Sequence, residues 1–519
     1  MRWWLKSVVA VAVCGFFCLA LVAQDCPARP GINTVVADPF SISSQNGVLS
    51  AKFVLAHSVD LTGFTHYCFK YDASGVTVES PTLRLNPGDK LELEVLNRIK
   101  NNDAMKMTMP AEAGAVCGDG GAMTLDSTNV HFHGLNVSPN CHSDDVINTL
   151  IQPGTAGFKF NIQIPTTEPP GLYWYHPHVH GFTEFQVNGG AAGAIVVEGM
   201  EKYRPEVAGL TERIFVIRQQ YLVPWVPGPY LLTLNYEIAP FIGLNPIIQM
   251  KPGEKQFWRV ANASIQDFLQ LQVQVNTKPQ QLEMIAMDGY PLAQTRMQDT
   301  ILIPPAGRAE FIVQAPPSGV SAVLHTNAYS TGPTGNADLA QTLANIVLTS
   351  NASAAHMPTG STPAAASQLK FADLAQQPVT ANRKLYFSEE FGGTNGPIEF
   401  YITVDGQRQK VFEANEKPVI TTKVGAVEDW VIENRALETH AFHIHQIHFR
   451  VMEVDGKPVT NNDLRDTIEI PYWEGKGPFH SVKVRMDFRD PTIAGTFLFH
   501  CHILLHEDLG MMHKILVEP

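Results

Sequence analysis

Residues 83–98 read LRLNPGDKLELEVLNR, and the pattern returns twice, at 248–264 as IQMKPGEKQFWRVANAS and at 420–436 as ITTKVGAVEDWVIENRA. In each copy a glycine turn precedes an asparagine by nine positions: Gly88 and Asn97, Gly253 and Asn262, Gly425 and Asn434. The residues between alternate apolar and polar, which is strand patterning bounded by turn signals. The spacing predicts three similar all-β units in tandem, built as Greek-key sandwiches or barrels. A second motif repeats with them. Gly171 to His176 (GLYWYH) and Gly495 to His500 (GTFLFH) run from glycine to histidine in five steps. The middle copy, Gly319 to His325, is one residue longer and has no second histidine. The middle unit is therefore expected to keep the fold without metal chemistry.

The expected layout is a leader at 1–23, a first unit at 24–200, a second at 201–350, a linker at 351–378 and a third at 379–519. The length, 519 residues with 45% hydrophobic and 17% charged, suits two to four globular domains. The stretch 351–367, NASAAHMPTGSTPAAAS, is small, polar and Pro-containing, as a linker would be. A net charge of −13 argues against nucleic acid as a partner. The first residues combine Arg2 and Lys6 with an apolar run from Ser7 to Ala23. They read as a secretory signal peptide cleaved near Ala23, with an uncleaved anchor as the alternative. Its removal would take the charge to −15 and leave no apolar stretch long enough to span a membrane. A secreted or periplasmic location follows as an expectation. Cys26, Cys68, Cys117 and Cys141 would then sit in an oxidising compartment, which allows three pairings. Local pairs, Cys26–Cys68 and Cys117–Cys141, are favoured, with free buried thiols as the alternative.

The end of the chain carries the chemistry. It reads His500-Cys501-His502-Ile503-Leu504-Leu505-His506-Glu507-Asp508-Leu509-Gly510-Met511. On a strand, alternate side chains point to opposite faces, so His500 and His502 face one way and Cys501 the other. Two metal sites back to back are the economical solution. Cys501, His506 and Met511, with one more imidazole, make the thiolate, imidazole and weak thioether set of an electron-transfer blue copper. Of 19 histidines, ten fall in four clusters: His131 and His133; His176 and His178; His440, His443 and His445; His500, His502 and His506. One His-X-His unit is a weak signal, but four of them in two related units are hard to dismiss. Eight imidazoles (His131, His133, His176, His178, His443, His445, His500, His502) exceed what one ion needs and suit three coppers able to bind dioxygen. Half belong to the first unit and half to the third, so the cluster must lie where those units meet. His440 is left to complete the Cys501 site.

With these motifs, HFHG, WYHPHVHG, HAFHIH and HCHILLHEDLGMM, the chain resembles a three-domain multicopper oxidase of the laccase type over essentially its whole mature length. The resemblance implies three cupredoxin domains and four coppers, with one-electron oxidation of donors coupled to reduction of dioxygen to water. It implies a type 1 copper on His440, Cys501 and His506 with Met511 axial, and a type 2 copper on His131 and His443. The type 3 pair would take His133, His176, His178, His445, His500 and His502. By similarity, Glu507 and Asp144 would supply protons, Asp144 being favoured over Asp145 by its distance from the turn at Gln152 to Gly154. Ala441 stands where family members often have proline. Phenolic or aromatic amine donors are expected. A metallo-oxidase for cuprous or ferrous ions is the alternative, and a copper-binding carrier or store without turnover is the alternative of another class. His180 reads as a support beside the ligands or as structural, and His142, His448, His480 and His513 read as structural. Met105, Met107 and Met109 alternate and could hold cuprous ion, although a half-buried strand explains them equally.

Overall fold

The computed structural model describes residues 25–59, 64–99, 108–109, 117–220, 231–240, 243–350, 356–359, 364, 369–391, 398–460 and 463–519. The leader at 1–23, Met105 and Met107 lie outside them, and of Met109 only its backbone is described. The fold is all-β, as expected. Its helices are short: Thr183–Asn188, Met200–Tyr203 and Leu504–Asp508 among the described residues. No described helix is long and apolar enough to cross a membrane.

Three sandwiches follow one plan. In the first, a five-stranded sheet orders Ser41–Ser43, Thr82–Leu85, Gly193–Val197, Gly171–His176 and His131–His133. In the third, the matching sheet orders Ile420–Lys423, Met512–Glu518, Gly495–Cys501, His440–Ile444 and Thr467–Ile470. The middle sandwich repeats the same neighbours with Ile247–Met250, Gln341–Leu348, Ala322–Asn327 and Leu269–Val275. Each sheet packs on a partner sheet through one apolar core.

The repeated asparagines close these cores. Asn97, Asn262 and Asn434 are fully buried at or near strand ends. The Nδ2 of each donates to two carbonyls: Asp126 and Ile151, Asp267 and Ile303, Glu438 and Ile470. Each Oδ1 accepts the backbone N–H two residues on, at Ile99, Ser264 and Ala436. One side chain thereby satisfies a buried donor and two acceptors that a loop would otherwise leave unpaired. The glycine nine residues earlier has positive φ in all three copies, at +90°, +73° and +97°. This is a turn conformation that side chains disfavour.

Strand Lys90–Asn97 buries alternate residues, whereas Gly171–His176 is buried throughout. The second strand lies between two bodies. Tyr173 and Tyr175 enter the first core, while Leu172 and Trp174 pack on Ile214, Val216 and Ala261 of the middle sandwich. The stretch expected as a linker is tied down where it is described. The Met357 N–H donates to the Leu210 carbonyl, and its side chain is buried with Met200, Val207 and Phe257. Leu369, Phe371 and Leu374 pack with Tyr290, Val427 and Leu464. Cys26–Cys68 and Cys117–Cys141 are disulfides, and Cys501 is a free buried thiol.

The middle sandwich also grips the third. The Thr439 N–H donates to the Thr331 carbonyl, 2.7 Å away. Nearby, Asp338 Oδ2 accepts the Phe268 N–H at 2.9 Å, beside the Asp267 carboxyl. Burial raises the pKa of both acids, and for Asp338 the charges of Asp267 and Glu438 add to it. The folded chain therefore holds protons here that the unfolded chain has released. The stability tied to them is present at low pH and falls as pH rises from the ordinary carboxylate range through the raised values. Asp338→Asn, which keeps the acceptor for Phe268, should flatten the fall of the thermal midpoint between about pH 5 and about pH 9. An unchanged slope would mean that the pair is not protonated.

Candidate metal centre

Strand pairing sets the histidines. His131 sits opposite His176 in one sheet, and His443 opposite His500 in another. Strand alternation turns His131 and His133 to one face, while in the other three units the first histidine is on the strand and the second (His178, His445, His502) lies just past its end. The two faces meet at the seam between the first and third sandwiches. There His131 stacks on His445 and His133 on His443, each with ring centroids 3.9 Å apart. All eight rings are buried. Ligand atoms converge as His131, His133 and His443, as His133, His176 and His502, and as His178, His445 and His500.

These rings lack the hydrogen-bond partners that burial demands. The Nε2 atoms of His131, His176, His443 and His502 have none, nor has Nδ1 of His133. The Nε2 of His500 faces the Nε2 of His178 at 3.4 Å and that of His445 at 3.2 Å. Opposite edges are satisfied in several rings. His176 Nδ1 pairs with the Pro177 carbonyl at 2.8 Å and His443 Nδ1 with the Asp466 carbonyl at 2.8 Å. Burial, together with the neighbouring imidazoles, lowers the pKa of His131, His133, His178, His443, His445 and His502. Burial likewise takes His176 to about 3 and His500 to about 4. Neutral imidazoles with orphaned inward lone pairs are a donor set that metal cations complete.

The second site lies on the other face of the same strand. Cys501 Sγ is 3.6 Å from His440 Nδ1 and 3.9 Å from His506 Nδ1, and the two nitrogens are 3.3 Å apart. Met511 is buried in the same core, and its N–H donates to the His506 carbonyl. The outer edges meet carboxylates: His440 Nε2 is 3.3 Å from Glu389, and His506 Nε2 is 3.6 Å from Glu438. An N–H on Nε2 facing an acid leaves Nδ1 as the inward lone pair. Burial and the neighbouring Glu389 raise the Glu438 pKa. Burial likewise pushes the Cys501 thiol up, which a bound cation would reverse.

The two expected proton donors lie at the cluster. Asp144 approaches His131 Nδ1 with both oxygens at 3.0 Å and accepts from the Phe132 N–H and Gln446. Asp145 is turned away to Asn148. Glu507 is fully buried, 3.5 Å from His178 and 3.2 Å from His500. Burial raises the pKa of both Asp144 and Glu507. His448 is structural here, its Nε2–H donating to the Asp288 carbonyl at 2.8 Å. Residues with no sequence signal also line the centre. Asn129 holds the backbone of His178, and Asp466 lies beside His133. Both are single polar residues between strands, with no spacing to distinguish them.

Three multicopper oxidase family models match residues 122–202, 174–348 and 392–519. The chain belongs to the multicopper oxidase family, and so is a copper-dependent oxidoreductase that uses dioxygen. It is 25% identical over 456 residues to the multicopper oxidase mco of Staphylococcus haemolyticus, covering 84% of this chain and 81% of that one. It is 24% identical to the laccase of Bacillus subtilis over 402 residues, covering 68% and 71%. Among solved structures it is similar to a Campylobacter jejuni multicopper oxidase described as a metallo-oxidase (TM-score 0.67, 23% identity, 95% and 96% coverage). It is similar also to McoA of Aquifex aeolicus (TM-score 0.68, 17% identity, 93% and 99% coverage). The sandwiches are cupredoxin-like in this company.

Cys501→Ser tests whether the two sites are separate. It should abolish the blue thiolate–copper colour and remove about one ion per chain, leaving the histidine cluster loaded. Visible absorption with metal analysis reads both, and loss of all copper together would show that the sites are not independent.

Proposed function

We propose that this oxidase is laccase-like, taking electrons singly from small phenolic or aromatic amine donors and passing four to dioxygen to give two waters. Four coppers per chain are proposed: His440, Cys501, His506 and Met511 would hold a type 1 ion, and His131 and His443 a type 2 ion. His133, His176 and His502 would hold one type 3 ion, and His178, His445 and His500 the other. The convergence of the eight cluster histidines in overlapping groups that share His131 and His133, with His440, Cys501 and His506 gathered apart from them, is the observation that supports the reading. Bound copper supplies the one-electron redox chemistry that the side chains lack.

The chain's own residues do the rest. His506 sits at the donor side, its ring stacked 4.1 Å from Phe400 and its outer nitrogen near Glu438. Exposed Leu505, on the short helix, and Leu509, just past its end, lie on either side of it in sequence. An aromatic ring would meet an apolar rim and a carboxyl to take its hydroxyl hydrogen bond. Cys501 lies between His500 and His502, so one covalent step joins the two ligand sets. Glu507 and Asp144, buried against cluster histidines, are placed to hold protons for the reduction. The two disulfides support an oxidising, secreted or periplasmic location.

A metallo-oxidase is the second reading. Glu389 and Glu438 together put carboxylates at the outer edges of both imidazoles, an approach suited to cuprous or ferrous ions. Oxygen uptake by copper-loaded protein with a dimethoxyphenol, cuprous ion or ferrous ion decides between them. Faster uptake with the phenol is expected. Faster uptake with a metal ion, lost in Glu438→Gln, would favour the second reading. No uptake with any donor would leave a copper carrier or store. Glu507→Gln should slow uptake by about 10²- to 10⁴-fold with the blue colour unchanged. Near-normal turnover would remove Glu507 from the proton path.

A further inference from the structure

We infer that Arg308 of the middle sandwich is a positioning residue for the histidine cluster, fixing through Asp466 which nitrogen of His133 faces the metal. The inference rests on the ligand assignment proposed above. Arg308 is fully buried at the start of strand Arg308–Gln314, in the unit that holds no ligand. Its Nη1 donates to Asp466 Oδ1 at 2.7 Å, and its Nη2 to Oδ2. The fork is itself held. Nε donates to the Leu172 carbonyl of the first sandwich at 3.2 Å, and Nη1 also to Ala306 at 3.1 Å. Asp466 belongs to the third sandwich, just before strand Thr467–Ile470. All three bodies thus meet at one carboxylate.

That carboxylate faces the cluster. Asp466 Oδ1 accepts the Thr467 hydroxyl at 2.9 Å and lies 3.3 Å from His133 Nε2. Its backbone carbonyl takes His443 Nδ1 at 2.8 Å. A proton on His133 Nε2, directed at Asp466, leaves the buried and unpartnered Nδ1 as the metal-facing lone pair. Without the guanidinium, Asp466 would be a buried carboxylate lacking its bidentate partner and free to turn from His133. The fork also accounts for the glycine of the HFHG motif. A Cβ on Gly134 would lie 2.5 Å from Arg308 Nη2 and 2.7 Å from Asp466 Oδ2. A bidentate arginine fixes both oxygens at once, which a lysine cannot do.

The test uses full-length, copper-loaded Arg308→Lys and Asp466→Asn. The blue colour, which reports the Cys501 site, serves as the internal measure of folding. Copper held against a chelator, the near-ultraviolet absorption of the binuclear pair and the electron paramagnetic resonance spectrum report the cluster. Both variants should stay blue but hold cluster copper about 10- to 100-fold more weakly. Thr467→Val, which loosens Asp466 without touching its charge pair, should move the same signals in the same direction by less and covers the case in which Arg308→Lys fails to fold. Wild-type retention and spectra in Arg308→Lys and Asp466→Asn would overturn the inference, as would equal loss at both sites. Wild-type protein lacking the binuclear signals would overturn the ligand assignment itself.

Discussion

Eight imidazoles turned toward one another in a buried seam would be an unfavourable arrangement on their own. Each ring keeps one nitrogen for the protein or leaves it idle, and most present the other to a space with no hydrogen-bond partner. Protonation is no remedy, because the rings would then repel and burial already disfavours the charge. Cations in the seam turn this cost into ligation. The chain therefore needs rigid bodies on both sides to keep the rings in place.

The rigidity comes from repetition. Each sandwich closes its core with a buried asparagine that meets two carbonyls and one amide. The same device appears in the unit without ligands as in the two that carry them. The middle sandwich is more than a spacer. It covers the outer face of strand Gly171–His176, reaches Thr439 beside His440, and sends Arg308 into the floor of the cluster. It carries none of the expected ligands yet contributes to the site, since Arg308 holds the Asp466 carboxylate beside His133.

The two sites use opposite faces of strand Gly495–Cys501, and their surroundings differ accordingly. The eight cluster histidines are all buried. The Cys501 site comes close to solvent along His506, which is 4% exposed and has the exposed Leu505 and Leu509 on either side. Carboxyls stand at both, but with different company. Asp144 and Glu507 are buried against cluster histidines, whereas Glu389 and Glu438 lie at the outer edges of the imidazoles that face the thiol. On the proposed reading, the first set would handle protons within and the second would meet an electron donor.

Much of this was legible from residues alone. Period-two alternation and turn glycines specify strands locally, and the Gly88–Asn97 spacing with its two copies revealed three units. His-X-His on a strand must put two rings on one face, and Cys501 between two histidines must face away from both; both follow from backbone geometry without any tertiary contact. Asp144 as the acid at the cluster came from the family resemblance rather than from the residues themselves. What the sequence could not contain is whatever depends on residues far apart in it. Arg308 and Asp466 are 158 positions apart, and Glu389 and His440 carry no shared spacing. The reach of the middle sandwich and the acids around His506 arise only when separately folded bodies dock. Side-chain partners across those seams are chosen by three-dimensional packing, which local periodicity does not encode.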